Sequence, residues 1–278
     1  MPVRVETFDS LDAAASALRS ARSARFFGGG TLLMRAANHG DQSFDTLIRA
    51  RDPSFRQIRG ESEGVSIGAG VSMSEIAAHR DLAFLVPAAL AVGGPAVRNM
   101  ATLGGNLFAN SPYGDLTVAL LALGARVDFV GQGGRGVEIE EFLRDRDRYQ
   151  GSIVRSVTVA RPRDPSAFRF VKVSRVKPKG IALLSIATYL PQSGGRIRGA
   201  RVAYGAMGPR PLRATAVERT LDGQYLDAPT IERAAAAACD GIEPRTDSLA
   251  SSWYRREVVG IHLKRLLTGE RPARGERR

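Results

Sequence analysis

The sequence predicts an α+β fold made of two or three units. Short β-rich segments recur between residues 3 and 204, each bounded by glycine, proline or a polar turn. Helical spacing of apolar residues alternates with them, at 11–19, 116–123, 228–238 and 254–267. Pro162-Arg-Asp-Pro165 is the best linker, because two prolines in four residues oppose both helix and sheet.

The elements follow in order. Residues 1–55 read as strand, helix, strand, glycine loop, short helix, then a strand at Phe44–Ile48. Ser10 is the expected cap of the helix that starts at Leu11. Residues 56–164 form a second segment. Val65–Val71 alternates as a strand, and Ser72 or Ser74 caps a helix running to His79. Leu82–Val92 is apolar and packs behind the loops. Leu116–Leu123 is a helix stopped by Gly124, followed by strands at 126–130 and 156–159. Residues 165–270 form the last unit. Its strands at 168–173, 181–190 and 197–204 predict a three-stranded antiparallel sheet. Two helices follow, the second with Val258, Ile261, Leu263 and Leu266 on its apolar positions. The tail 271–278 reads as disordered.

Composition narrows the function. The chain has 278 residues, 44% of them hydrophobic, which suffices for a substantial core. No apolar run is long enough for a membrane span, and the first residues lack a signal-peptide core, so the expected location is the cytoplasm. The single cysteine, Cys239, excludes an intrachain disulfide and an iron–sulfur ligand set, and is expected in the core. His39, His79 and His262 have no metal-ligand spacing, so no metal is expected, and surface or capping roles are. The net charge of +12 resides mostly in scattered arginines with no interleaved aromatics, which argues against nucleic acid. It fits a solvated basic surface or a face toward an acidic partner.

Two glycine clusters carry the chemistry. The first is Phe26-Phe-Gly-Gly-Gly-Thr-Leu-Leu-Met34. The second, Ala101-Thr-Leu-Gly-Gly-Asn-Leu-Phe-Ala-Asn-Ser-Pro-Tyr-Gly-Asp115, combines a glycine pair with amide, hydroxyl and carboxylate groups. Glycine admits close approach to the backbone, and free N–H groups there face anions. Neither cluster is a Walker loop or a G-x-G-x-x-G fingerprint. Together they could clasp a diphosphate, with Asn106, Ser111 and Asp115 meeting hydroxyl or amide edges of the same ligand. Taken singly, each could equally be a tight turn.

The chain resembles the FAD-binding medium subunit of the molybdenum hydroxylases, of the xanthine dehydrogenase and carbon monoxide dehydrogenase type. Gly28-Gly-Gly-Thr-Leu-Leu33, Val97-Arg-Asn-Met-Ala-Thr-Leu-Gly-Gly-Asn-Leu107 and Ala109-Asn-Ser-Pro-Tyr-Gly-Asp115 carry the likeness. Thr7–Ala13, Lys172–Val176 and Trp253–Arg256 extend it in the right order.

This resemblance implies a two-unit, vanillyl-alcohol-oxidase-like FAD-binding domain followed by a C-terminal flavoprotein domain. It implies that Phe27, Gly28, Gly29, Gly30, Thr31, Leu32 and Leu33 wrap the diphosphate. Ala101 and Thr102 would contact the cofactor, Gly105 and Asn106 would bind its diphosphate or ribityl part, and Ala109 and Ser111 would line the pocket. Asp115 would accept from a cofactor hydroxyl, Val154 would lie near a ring edge, and Lys172 would place a positive charge by the flavin. No catalytic side chain is implied, since the flavin does the redox work.

The implied partners are a small subunit with [2Fe–2S] clusters and a large molybdopterin subunit, as a dimer of heterotrimers. Electrons would pass from the clusters through FAD to a final acceptor. Two departures from the family pattern stand out: Leu32, where many relatives carry Asp or Glu, and Gly180-Ile-Ala182, where they carry Asp-Ile-Ala. A stand-alone flavoprotein oxidase and a basic binding module without redox role are the competing readings.

Overall fold

The computed structural model describes residues 3–62, 64–134, 136–176 and 180–270; the predicted tail at 271–278 lies outside the described residues. The chain divides into two compact units, 1–109 with 124–161, and 110–123 with 162–278.

The first unit opens with β1 (Arg4–Phe8), α1 (Leu11–Ser20), β2 (Ala24–Phe26), α2 (Leu33–Asn38) and β3 (Thr46–Ala50). The strands form a parallel sheet in the order β1-β3-β2. Ser10 caps α1, its Oγ accepting from the Ala13 amide at 3.1 Å. Such a cap is worth about 1 kcal/mol. Asp52 ties the returning chain to the same helix, its carboxylate accepting from the Leu11 amide at 3.0 Å.

A second sheet contains β4 (Ile58–Gly60), β5 (Gly64–Gly68), β6 (Arg126–Phe129), β7 (Val137–Glu138) and β8 (Val154–Ala160), ordered β4-β5-β8-β6-β7 and antiparallel throughout. The glycine-rich turn between β6 and β7 has open space around Gly131, Gly133 and Gly134, all at positive φ, as a surface hairpin requires. Between the strands run short helices: α3 (Met73–Ala78), α4 (Val86–Ala91), α5 (Pro95–Met100) and α6 (Leu103–Leu107). Ser72 is the cap of α3, in a capping box with Glu75. Both sheets lie in one compact unit.

α7 (Asp115–Ala122) belongs with the second unit, whereas α8 (Ile139–Arg144) belongs with the first. The second unit continues with β9 (Phe168–Val173), β10 (Leu184–Tyr189), β11 (Gln192–Ser193), β12 (Arg196–Ile197), β13 (Arg201–Gly205) and β14 (Leu212–Arg213). The expected strand at 197–204 is split: its start pairs in the β11–β12 hairpin and only 201–205 joins the main sheet. That sheet has the order β14-β13-β10-β9, the three long strands plus a two-residue edge.

α9 (Thr215–Leu221), α10 (Ala228–Ala236) and α11 (Ser252–Thr268) complete the unit. β10 is buried at five of its six positions, so its two faces differ in size rather than polarity. Leu184 and Ile186 join the core with Val217, Ile231, Val259 and Leu263 from the helices. Ser185 faces α7, where a Cβ on neighbouring Gly205 would meet Val118 at 2.7 Å.

Two expectations about this unit need correcting. The buried positions of α11 are Arg255, Val259, Leu263 and Leu267, a strict spacing of four, and Ile261 is half exposed. Cys239 is partly buried, against the edge of the core. Arg255 is 1% exposed because its guanidinium caps three carbonyls, of Leu183, Arg245 and Ala250, and pairs with Asp247 at 2.8 Å.

Candidate functional site

The first unit brings the first glycine cluster against the start of the second, at residues 100–102. β2 ends at Phe26, and the Phe27 amide still donates to the Ile48 carbonyl at 2.7 Å. The chain then leaves the sheet as Gly28-Gly29-Gly30. A Cβ on Gly29 would lie 1.6 Å from the Met100 carbonyl oxygen, and one on Gly28 would lie 2.8 Å from Thr102 Oγ1. Gly30 has φ of 72°, a conformation that side chains rarely adopt. Gly28 and Gly29 are therefore needed by the protein itself, to lay one loop on the other, and Gly30 for its own backbone conformation. Close approach of a ligand, the reason read from the sequence, is not what excludes side chains at Gly28 and Gly29.

The second loop is held from behind. The Met73 amide donates to Ala101 O at 2.9 Å, Leu103 to Val71 O at 2.9 Å, and Gly104 to Ala69 O at 2.8 Å. Thr102 caps α6 through its hydroxyl, which accepts from the Gly105 amide at 3.2 Å. Ala101, Thr102 and Asn106 are buried, whereas Gly105 is exposed. A Cβ on Gly105 would meet only Thr102 Oγ1, at 3.2 Å, with nothing else within 4 Å. Here the glycine faces open space.

Polar satisfaction identifies what the first loop can do. Among the described residues, the amides of Gly28, Gly29, Gly30, Thr31 and Leu32 make no backbone hydrogen bond, although the segment is half-buried except at Leu32. Half-buried backbone donors normally find partners. The segments 26–38 and 95–109 contain no acidic residue and one arginine each, Arg35 and Arg98. A run of open amides without opposing carboxylates suits an anion such as a diphosphate. The donor set therefore fits the phosphate part of a dinucleotide. Leu32 precedes α2 without a side-chain cap and is 39% exposed, so no acid is needed there for folding.

The remaining predicted residues fall elsewhere. Ala109 is buried at the last position before the chain leaves the first unit, and Val154 is buried at the start of β8. Ser111, Asp115 and Lys172 belong to the second unit. There Asp115 accepts from Lys172 Nζ at 2.6 Å and from Ser185 Oγ at 2.7 Å. The two charged side chains are 6% and 11% exposed. Burial pushes the Asp115 carboxyl above the usual carboxylate range, against the opposing pull of the Lys172 ammonium and the Ser185 hydroxyl. Ser185 carries no sequence signal, and the pairing of Asp115 with Lys172 spans 57 positions.

A Cβ at Gly180 would lie 2.3 Å from the Val176 carbonyl oxygen, so a side chain there would require a shift. His79 accepts from the Asp81 amide and caps a turn. Among the described residues, no group of three His, Cys, Asp or Glu could hold a metal, and no helix is long and apolar enough to cross a membrane.

A two-unit α+β chain with one glycine loop laid on another and a run of amides open to an anion fits a class of protein that binds a phosphate-bearing cofactor. Residues 2–162 match the family described as FAD binding domain in molybdopterin dehydrogenase, and residues 169–269 match the CO dehydrogenase flavoprotein C-terminal domain. The chain belongs to this family, and is the FAD subunit of an oxidoreductase complex.

Among its relatives, the glyceraldehyde dehydrogenase medium chain of Sulfolobus acidocaldarius is 31% identical over 212 residues, covering 73% of this chain and 75% of that one. The carbon monoxide dehydrogenase medium chain of Afipia carboxidovorans is 26% identical over 268 residues, 91% of each chain. Among solved structures, quinoline 2-oxidoreductase from Pseudomonas putida 86 matches with a TM-score of 0.86 and 26% identity, over 97% of this chain and 96% of that one. A Cu,Mo-CO dehydrogenase shares the fold with a TM-score of 0.86 at 24% identity, over 96% and 98%.

Proposed function

We propose that the chain carries FAD non-covalently and relays electrons from the [2Fe–2S] clusters of a small partner subunit to a final acceptor. A large molybdopterin subunit would oxidise the substrate, the whole forming a dimer of heterotrimers. The observation that carries this reading is the line of open amides from Gly28 to Leu32 laid against Met100–Thr102. Bound FAD supplies a centre that accepts and donates electrons, and the chain's own part is to hold and orient it.

In the first unit, Phe27–Leu33 would donate backbone N–H groups to the diphosphate. Ala101, Thr102, Gly105 and Asn106 would form the opposite wall, and Ala109 and Val154 would add apolar lining. In the second unit, Asp115 and Lys172 hold each other as a buried ion pair. The one cysteine, Cys239, leaves the iron–sulfur clusters to a partner. The two relatives are medium chains, which supports a multi-subunit setting.

The test compares the isolated chain with the assembled complex. The isolated chain should pass electrons from a reduced [2Fe–2S] partner to an acceptor and should not oxidise the substrate that the complex turns over. Full substrate oxidation by the isolated chain without molybdenum would overturn the proposal and favour a stand-alone oxidase.

A further inference from the structure

We propose that Arg146 is a positioning residue for the second glycine loop, acting through the Ala109 carbonyl. The inference rests on the flavin reading above for its consequence, but not for its geometry. Arg146 lies on a 3-10 turn, Arg146–Tyr149, after α8. Its Nη1 donates to Ala109 O at 2.9 Å, across 37 positions of sequence. Arg144 and Arg148 flank it in one Arg-Asp-Arg-Asp-Arg run and are exposed, whereas Arg146 is partly buried.

The turn that carries Arg146 is itself fixed. Tyr149 stacks on Phe129 at 4.6 Å between ring centres, with 12° between planes. Phe142, fully buried in α8, meets Phe108 edge-on at 5.4 Å. Residues 108 and 109 are thus gripped twice from 142–149, by an aromatic edge and by a guanidinium.

The grip falls where the loop most needs it. α6, which contains Gly105 and Asn106, has only five residues. So short a helix has little hydrogen bonding of its own and takes its position from tertiary contacts. Ala109 stands two residues past its end and is the last residue before the chain leaves the first unit. A cationic donor on that carbonyl is a charge-assisted bond, stronger than a neutral one. Losing it frees the end of the loop, and Gly105 and Asn106 move with it.

Two readouts test this on the purified full chain. In the apo protein, hydrogen exchange of the 105–110 amides should quicken in Arg146→Met and not in Arg148→Met. With FAD added, Arg146→Met should bind about tenfold more weakly, equivalent to about 1.4 kcal/mol. It should also alter the visible circular dichroism of the bound flavin. Arg146→Lys should recover most of both effects. Unchanged exchange at 105–110 overturns the proposal. So does a lowered apo melting temperature with unchanged flavin affinity and dichroism, which would mark a purely structural residue. If exchange quickens but even the wild-type chain takes up no FAD, the positioning stands and the flavin reading falls.

Discussion

Gly105→Val separates the needs of the ligand from those of the fold. A Cβ at Gly105 has one neighbour within 4 Å, Thr102 Oγ1 at 3.2 Å, and the residue is exposed. The hydroxyl must give by a few tenths of an ångström. Against that, valine is a better helix former than glycine by roughly 0.3–0.5 kcal/mol. Apo stability should therefore change by less than about 1 kcal/mol.

The ligand should respond very differently. The two new methyl groups occupy the open side of the loop, where the diphosphate or ribityl part of FAD would lie. Pushing it away loses one or two charge-assisted hydrogen bonds, together about 2–4 kcal/mol, or roughly 30- to 1,000-fold in affinity. The assay is flavin titration by fluorescence quenching beside thermal unfolding of the apo protein. Gly29→Ala is the control, because its Cβ would overlap the Met100 carbonyl at 1.6 Å and should prevent folding. A well-folded Gly105→Val protein with wild-type FAD affinity would remove this loop from the site.

Two further outcomes follow from the chemistry of single carboxylates. Asp115→Ala strands the Lys172 ammonium in a site where its side chain is 11% exposed. It should cost about 3–5 kcal/mol in denaturant unfolding of the apo protein, and a loss below about 1 kcal/mol would contradict the buried pairing. Asp52 is held below the usual carboxylate range by the Ser54 hydroxyl and then by the Leu11 amide. Its folded pKa lies below its unfolded one, so its contribution is full above about pH 4 and is lost as the pH falls through the folded value. Asp52→Asn should flatten the acid limb of the stability profile, and an unchanged limb would exclude this contribution.

Local signals made much of the fold legible. Ser10, Ser72 and Asp227 announce three helices because a side-chain oxygen can serve the first orphan amides only at a helix start. The strands at 65–68, 126–129, 154–160 and 168–173 show through β-branched and aromatic residues. The short helices between 80 and 107 were not separable, because runs of five or six residues lack a full hydrophobic period. Arg255 was unreadable as a buried residue, since its three carbonyl partners and its aspartate belong to loops joined only by the fold.

The site divides in the same way. The two glycine clusters were visible in the sequence, but not that Gly28 and Gly29 serve loop-on-loop packing. Nor could the sequence distinguish Arg146 from Arg144 and Arg148, because the three share one alternating run and differ only in which way the turn faces them.

The most direct measurement is the identity and attachment of the cofactor in the purified chain. The protein is denatured with acid, the polypeptide removed, and the supernatant resolved by chromatography. The expected result is FAD released at about one per chain, with no flavin absorbance left on the polypeptide. Flavin retained by the denatured protein would contradict non-covalent binding. Release of FMN alone, or failure of the folded apo protein to take up FAD, would contradict a diphosphate held between the Gly28–Leu32 amides and the Met100–Thr102 loop.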